Sequence, residues 1–550
     1  MKHFLSLCLT AGVAAHAAPI TGVPAANMKA DGYAPASQLT REWRQHPVAV
    51  GSMPLENPEG IVGWYGYEND VPSPVNPALP AMVPAVLNPP PPAKPVEAQK
   101  TEPDKNTYLV LWGQKGADPH YNYGSHFLFQ GHEAGATNQD GSKQGLITRI
   151  NLDADTAHRV TLMATHDVTG APIATIDGST WDPFARRLLF TTENVNAPTY
   201  AATLDFPSKV EDVSGALGRG GYEGIQNDNY GNIWIVEDVG GTNKTNPTTG
   251  ASTTARRPNS FVYRYVPRHP GDLHNGKLQV LQVIVGDHPA TFDSQAALNA
   301  PDQVAIRTFH TSYKTKWITI HDTKVDGDAP FIAIDKAKAA GGTPFKRPEN
   351  GVFRPGSHFR EFFFVETGDT NATSPENASA GGWCSIFRLV QRSADDDEGY
   401  ISIFFQGNQS VAGLDNVTFL SRDKLLAVED AGDGLHGQRN ALDSGFVFDT
   451  DVDYSDPHTQ PVRFLAEGRD ASATLDSANG GFGKNDGDNE ITGIHVSDGD
   501  PSENGILGAK VPRFGHDGWR MFWTQQHGDN VTWEVTRAKH GDNDDDHDDW

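Results

Sequence analysis

The sequence predicts an all-β fold, and two observations point to it. Glycine (56 residues) and proline (37 residues) are abundant, and the aromatic residues lie in short clusters between them. This composition is typical of many short strands joined by turns rather than of long helices. The second observation is a strand type that recurs between residues 106 and 539. Each copy has a polar turn, a short apolar strand, and an acid or amide where the strand ends.

This repeated strand occurs five times. Its apolar segments are residues 188–192, 233–236, 362–365, 425–428 and 521–524. The spacing is irregular, and unrelated strands of a β-sandwich could show the same pattern. A β-propeller explains the repetition better, because each blade is one antiparallel sheet and equivalent strand ends meet around a central channel.

The two ends of the chain have a different composition from residues 106–539. Residues 1–17 have one lysine (Lys2), an apolar run over residues 4–13 and the small-residue pattern Ala15-His16-Ala17, which predict a cleaved signal peptide and a periplasmic or secreted protein. Residues 18–105 are an N-terminal extension that ends in a proline-rich linker. The acidic residues 540–550 predict a disordered tail.

The charge balance restricts the partners. Lysine and arginine total 44 against 70 aspartates and glutamates, a net charge of −26, which repels nucleic acid and anionic membrane surfaces. Beyond the signal segment, no stretch reaches the length of a membrane span. Cys8 lies in the signal peptide, so the mature chain keeps only Cys384 and forms no intramolecular disulfide. The negative charge makes cations the expected partners. We also expect a monomer.

Four copies of the repeated strand end in a glutamate, namely Glu193, Glu237, Glu366 and Glu429. If these strands are equivalent, the four carboxylates point toward one region, where like charges require a counter-ion. Carboxylate oxygens suit hard cations such as Ca²⁺ or Fe³⁺. A single glutamate at a strand end is more commonly solvated, so this prediction of a metal site depends on the group.

Other catalytic and metal-binding motifs are absent from the sequence. It has no Gly-x-Ser-x-Gly elbow, no His-Glu-x-x-His pair, no paired-cysteine zinc site and no phosphate-binding Walker loop. Residues 449–453 imitate the start of a calcium loop, but Tyr454 stands where the turn glycine belongs. We therefore do not predict a calcium loop there.

Five short motifs follow one another between about His126 and Gly528. They are Gly131-His132-Glu133, Ala-Leu-Gly-Arg-Gly-Gly-Tyr-Glu-Gly at 216–224, Arg347-Pro348-Glu349, Glu490-Ile491-Thr492-Gly493 and Gln525-Gln526-His527-Gly528. In this order they resemble motifs of the PhoX family of calcium- and iron-dependent alkaline phosphatases, which fold as six-bladed propellers. The resemblance implies six blades over residues 106–539.

The resemblance also implies roles for individual residues. Glu223 and Glu349 match glutamates that bind iron in the family, and Arg347 matches the arginine that grips phosphate. A planar guanidinium with forked donors suits that role. Glu193 and Glu490 are the implied further metal ligands, and Ca²⁺ and Fe³⁺ are the implied cofactors.

The sequence departs from the family pattern at two places. Asp177 stands near the position of the family's iron-binding cysteine, and aspartate is a harder ligand than thiolate, which favours Ca²⁺ over Fe³⁺. The signal segment lacks the twin arginines common in the family, so loading of iron before export has less support.

The function that these observations favour is metal-dependent hydrolysis of small phosphomonoesters. Two alternatives stay open. One is a different propeller hydrolase, such as a lactonase or a phytase-like esterase, and the other is a binding propeller in which metals only brace the blades. Arg347 distinguishes the first function from the last, because a purely structural cation site does not need an arginine.

Overall fold

A computed structural model of the protein describes residues 20–29, 36–51, 53–59, 62–66, 100–137, 142–241, 243–245, 252–293, 300–371, 374–468, 490–526 and 530–538. Across these residues the chain forms six four-stranded antiparallel blades, two of which are joined and one of which carries an additional edge strand. The predicted all-β, six-bladed propeller is confirmed. The predicted signal peptide, most of the proline-rich linker and the acidic tail lie outside the described residues.

The N-terminal segment forms four short strands. They are β1 (Gln38–Leu39), β2 (Trp43–Ala49), β3 (Pro54–Glu59) and β4 (Val62–Trp64). Blade 1 follows with β5 (Pro103–Val110), β6 (His126–His132), the small hairpin β7 (Ala136–Thr137) and β8 (Lys143–Gln144), then β9 (Ile147–Asn151) and β10 (Val160–Ala164). The predicted domain start at residue 106 therefore falls inside β5.

Blades 2 and 3 come next. Blade 2 contains β11 (Ser179–Asp182), β12 (Arg187–Phe190), β13 (Tyr200–Ala202) and β14 (Val210–Asp212), followed by α1 (Ser214–Leu217). Blade 3 contains β15 (Tyr222–Asn227), β16 (Ile233–Glu237), the hairpin β17 (Asn243–Thr245) and β18 (Ser252–Arg256), then β19 (Val262–Pro267), β20 (Gly276–Val285) and the short β21 (His288–Pro289).

An insertion joins blade 3 to blade 4. It consists of α2 (Pro301–Ile306), β22 (Tyr313–Asp322), α3 (Thr323–Asp326) and α4 (Ala333–Ala339). Blade 4 contains β23 (Pro348–Phe353), β24 (Glu361–Glu366), β25 (Ser385–Gln391) and β26 (Glu398–Gln406). Because β22 pairs with both β20 and β26, the outer edges of the two blades merge into one sheet. Neither outermost strand is left as an unpaired edge.

The last two blades complete the circle. Blade 5 contains β27 (Leu414–Phe419), β28 (Lys424–Glu429), α5 (Gly432–Arg439), β29 (Ser444–Asp449) and β30 (Val462–Ala466). Blade 6 contains β31 (Glu490–Ser497), β32 (Arg520–Gln526) and β33 (Val531–Arg537). Short 3₁₀ turns lie at Thr156–His158, Pro375–Ala380 and Glu503–Gly505. No helix among the described residues is long and apolar enough to cross a bilayer.

The first strand of each blade lies innermost, and these strands contact one another in a closed ring in the order β5, β11, β15, β23, β27 and β31. Polar side chains link neighbours in this ring. The Thr107 hydroxyl lies 2.8 Å from that of Ser179, and Asn106 donates to the Gly493 carbonyl at 2.6 Å. The ring therefore closes between the last blade and the first.

The repeated strand of the sequence is the second strand of blades 2 to 6, so its copies occupy equivalent places. In blades 2 and 3 the turn before it contains an aspartate, Asp182 or Asp228, whose side chain binds the backbone. In blade 3, Asp228 accepts hydrogen bonds from the Tyr230 amide at 2.8 Å and from the Trp234 indole at 2.9 Å. A short acidic side chain suits such a turn, because it replaces the backbone partners that the turn lacks.

The apolar core lies between the blades. Separate clusters of buried side chains fill the six interfaces between neighbouring blades in the described chain. Between blades 3 and 4, the Trp234 ring packs 4.9 Å from Phe362 and 5.1 Å from Trp317. Because each interface needs a partner on both sides, the hydrophobic stabilisation is lost if the circle opens.

The N-terminal segment closes the circle, which the sequence did not indicate. Strand β2 pairs with β33 as the fourth strand of blade 6, and β1 pairs with β30 at the edge of blade 5. Trp43 of β2 is buried against Phe464 and Phe514, with ring centroids 5.3 and 5.5 Å away. Residues 18–105 are thus partly integrated into the propeller.

We expect Trp43→Ala to lower the free energy of unfolding by about 3–5 kcal/mol, because it leaves a cavity where β2 anchors the last blade. The measurement is urea denaturation followed by fluorescence. Trp112 is the matched control, since 83% of it is exposed. Trp112→Ala is expected to change stability by less than about 0.5 kcal/mol. Equal losses in the two variants would contradict the anchoring role of Trp43.

Candidate metal centre

Four inner strands share the same local irregularity. In β5, β15, β23 and β27 the pairing register shifts directly after the first strand residue, as in a β-bulge. The first residue within each bulge is an acid: Asp104, Glu223, Glu349 and Asp415 respectively. A bulge sets two residues opposite one and turns a side chain out of the regular alternation. The same backbone irregularity thus sets the position of one carboxylate in each of four blades.

These carboxylates lie close together. Oxygens of Asp104, Asp177 and Glu223 fall within 4.8 Å of one another, and so do oxygens of Glu223, Glu349 and Asp415. A third group joins Asp177 to Glu133 and Glu193. The groups share Asp177 and Glu223, so we refer to the seven residues of the three groups together as the acidic ring. Its members come from blades 1 to 5.

Most of the acidic ring is withdrawn from water. Asp104 and Asp177 are 2% exposed, Asp415 is 4% exposed, and Glu223 and Glu349 are 5% exposed. Burial raises the pKa of Asp104 to about 6. Burial and the neighbouring carboxylates of Asp177 and Glu349 raise the pKa of Glu223 well above its usual range. Like charges in a low dielectric favour protonation unless a cation neutralises them.

The ring fits hard metal ions. Glu223 Oε2 and Asp415 Oδ1 are buried without a hydrogen-bond partner. An unpartnered buried carboxylate oxygen is costly, and a bound cation removes that cost. The donors of the ring are carboxylate oxygens, which suit Ca²⁺ and Fe³⁺ better than soft metals. The predicted ligands Glu223 and Glu349 lie in the same group of three.

Arg347 lies at the edge of this group. Its Nη2 atom is 2.7 Å from Asp238 and 3.6 Å from Glu349, and 22% of its side chain is exposed. The Arg347 backbone has φ of 59°, a left-handed conformation that non-glycine residues rarely adopt. Such strain costs on the order of 1–3 kcal/mol and concentrates at functional sites. The Asp238 and Glu349 carboxylates hold the pKa of Arg347 above its usual range despite burial.

The other two predicted ligands have different positions. Glu193 belongs to the third group of the ring and is exposed. Glu490 begins β31 and belongs to none of the three groups found among the described residues. Burial and the carboxylates of Asp430 and Glu133 raise the pKa of Glu490, so it faces the same negatively charged region.

The glutamates of the repeated strand do not converge as a group, which corrects the expectation drawn from it. Only Glu193 reaches the acidic ring. Glu237 accepts a hydrogen bond from the Tyr263 hydroxyl at 2.9 Å, Glu366 pairs with Arg307 at 2.5 Å, and Glu429 pairs with Arg439 at 2.8 Å. The second strands are equivalent, but their ends lie outside the ring of inner strands and find partners there.

The sequence analysis missed Asp104 and Asp415 entirely and did not assign Glu133. Pro103-Asp104, Pro348-Glu349 and Leu414-Asp415 each set an acid directly after the first strand residue, but these strand starts are visible only in the structure. Cys384 is buried directly before β25, the third strand of blade 4, and belongs to none of the three groups.

Comparisons with known proteins bear on the fold and the family of this chain. The family model described as alkaline phosphatase PhoX matches residues 248–500, which include Arg347, Glu349 and Asp415. No curated protein matches the sequence. PhoX of Pseudomonas fluorescens, solved in complex with vanadate, a transition state analogue, is similar in structure, with a TM-score of 0.55 and 11% identity over 94% of this chain and 98% of that chain. The matched segment supports membership of the PhoX family.

The match to the PhoX family model supports a phosphatase. The matched segment contains two of the seven residues of the acidic ring, Glu349 and Asp415, and the other five lie outside it. The resemblance read from the five motifs is confirmed at the level of the family.

Ca²⁺ is expected to stabilise the protein more at pH 8 than at pH 5. At pH 5 the raised pKa values keep ring carboxyls protonated, and a cation must displace those protons. Without metal, the folded state holds protons that the unfolded state has released, so its stability falls as pH rises from about 4 through about 6, the pKa of Asp104. The difference in melting temperature with and without Ca²⁺ measures the effect. A difference independent of pH would contradict it.

Proposed function

We propose that this protein is an exported phosphomonoesterase that depends on metal ions held by the acidic ring. The observation that carries the proposal is the place of Arg347, a partly exposed guanidinium 3.6 Å from a carboxylate of the buried ring. Cations in the ring and this guanidinium would face a bound phosphate from two sides. A purely structural cation site has no use for such an arginine.

Asp238 fixes the orientation of Arg347. It accepts hydrogen bonds from Nε at 2.9 Å and lies 2.7 Å from Nη2, so it occupies one edge of the guanidinium. No contact of Nη1 is found among the described residues. The fork is thus held rigidly by one carboxylate, and its remaining donors are available to the non-bridging oxygens of a phosphate.

The charges needed for phosphoryl transfer are present in this arrangement. When bound, the metal ions would supply positive charge that neutralises the phosphoryl oxygens and the leaving alkoxide. Arg347 would hold the transferred group in line and add a charge already in position before the reaction. The carboxylates that surround it exclude anions in the absence of metal, because they repel them.

Two further observations support parts of the proposal. Vanadate binds the Pseudomonas PhoX, and we expect it to inhibit this protein as well. The signal-like residues 1–17 support export, with Ala18 as the first residue of the mature protein. Mass spectrometry of the protein recovered outside the cytoplasm tests this cleavage site.

Arg347→Ala is expected to slow hydrolysis of an aryl phosphate about a hundred- to a thousand-fold, since one lost transition-state contact costs about 2.7–4 kcal/mol. Arg347→Lys keeps the charge without the fork and should be intermediate. Arg347→Gly should lose the same activity without a stability loss from the backbone, because glycine tolerates a positive φ.

The control is Arg354→Ala. Arg354 also precedes a proline, but it lies beyond the opposite end of β23 and pairs with Glu361 and Asp423. Its loss should leave the turnover per folded molecule unchanged. The phosphatase proposal is wrong if the wild-type protein supplied with Ca²⁺ and Fe³⁺ releases no phosphate from any monoester.

Asp177 belongs to two groups of the ring, and it stands near the family's cysteine position. We expect Asp177→Cys to increase the content of iron relative to calcium, because thiolate is a softer ligand. Elemental analysis of the purified protein measures this ratio. Asp177→Asn, which removes the charge at the same size, should lower the total metal content instead. Unchanged metal content in both variants would remove Asp177 from the proposed ligand set.

A further inference from the structure

One lysine reaches into the acidic ring. Lys105 is the second residue of the bulge in β5, directly after Asp104, and it is 5% exposed. Its Nζ atom donates a hydrogen bond to Oδ1 of Asn350, the second bulge residue of β23. The functional assignment above gives this lysine no role.

The hydrogen bond crosses the channel. Strands β5 and β23 belong to blades 1 and 4, which are opposite each other in a ring of six. The Lys105 side chain therefore extends over the channel axis rather than along its wall. Thr107, Ser179 and Gln226, which come later on the inner strands β5, β11 and β15, line a cavity together with Lys105.

The ammonium of Lys105 faces acids from four blades. Burial lowers the pKa of Lys105, and the carboxylates of Asp415 of blade 5, Asp104 of blade 1, Glu223 of blade 3 and Asp177 of blade 2 act against that shift. The two fully buried groups of the ring, which meet at Glu223, both contain members of this set. A single positive charge is thus shared between both groups.

We propose that Lys105 is a resident cation that forms the floor of the acidic ring. It balances part of the negative charge before metal ions arrive, so that the ring can fold without them, and it keeps those ions on the side of Arg347. Lys105 is a positioning residue in this proposal, since it acts on the carboxylates and not on the substrate. The inference rests on the proposed binding of metal by the ring.

The physical reason is the cost of gathering buried carboxylates. Removing one partner from a buried set of charges is strongly destabilising, because the others stay uncompensated. In the wild-type protein Lys105 offsets part of this cost when metal is absent. Without it, the ring must obtain the same charge from divalent ions, and the stability should become more dependent on them.

The test is Lys105→Met, which keeps the length and the apolar stem. Its melting temperature in chelator should fall by roughly 5–10 °C relative to the wild type, and saturating Ca²⁺ should recover most of that loss. The matched control is Lys346→Met. Lys346 is equally buried but pairs with Asp369, outside the three groups of the ring. Its loss should lower the melting temperature equally with and without Ca²⁺.

The outcomes separate this inference from the proposed function. A wild-type protein that responds to Ca²⁺ and a Lys105→Met variant with the same response would overturn the role of Lys105 alone. A wild-type protein indifferent to Ca²⁺ counts against the metal proposal, and a Lys105→Met variant that then gains a response still supports the resident cation. Indifference in both proteins overturns both ideas.

A second variant covers the case in which Lys105→Met does not fold. The double variant Asp104→Asn/Lys105→Met removes one negative and one positive charge, so the net charge of the ring equals that of the wild type. If the single variant fails because of uncompensated charge, the double variant should regain a cooperative transition in chelator. Failure of both would show that Lys105 acts through packing and would overturn the proposal.

Discussion

Repulsion among buried carboxylates is the constraint on which the site depends. Three groups of acids from five blades lie around one channel, and burial raises the pKa of most members. Bringing such groups together costs free energy unless cations balance them. The rest of the fold has to hold the acids in place against that cost. The fold holds the acids in place through the closed ring of inner strands, the bulges and the packed interfaces between blades.

The β-bulges of the inner strands position four acids of the candidate metal centre. In a regular strand, successive side chains point to opposite faces of the sheet. A bulge after the first strand residue interrupts this alternation and places an acid at the same height in four blades. The acids are therefore equivalent by structure although their surrounding sequences differ.

Much of the fold could be predicted from the sequence, and less of the site. The repeated strand is regular, buried and preceded by a turn aspartate such as Asp228, so its pattern is visible. The inner strands are irregular because the bulge breaks their alternation, and Asp104 and Asp415 carry no motif of their own. Glu223, Glu349 and Arg347 were found only through the resemblance to a family. The pairing of β2 with β33 joins distant parts of the chain and leaves no local signal.

The candidate metal sites depend on the closed circle of six blades, because their ligands come from different blades. No blade supplies more than one acid to either of the two buried groups, so each of these two candidate metal sites spans three blades. The spacing of the ligands is then set by the packing between blades, and that packing is complete only when β2 adds the fourth strand to blade 6. Trp43 is distant from most of the acidic ring in sequence, but its replacement disturbs the packing between blades that sets the ligand spacing. Stability of the fold and affinity for metal are consequently coupled, because cations that bind only the closed ring favour the closed form.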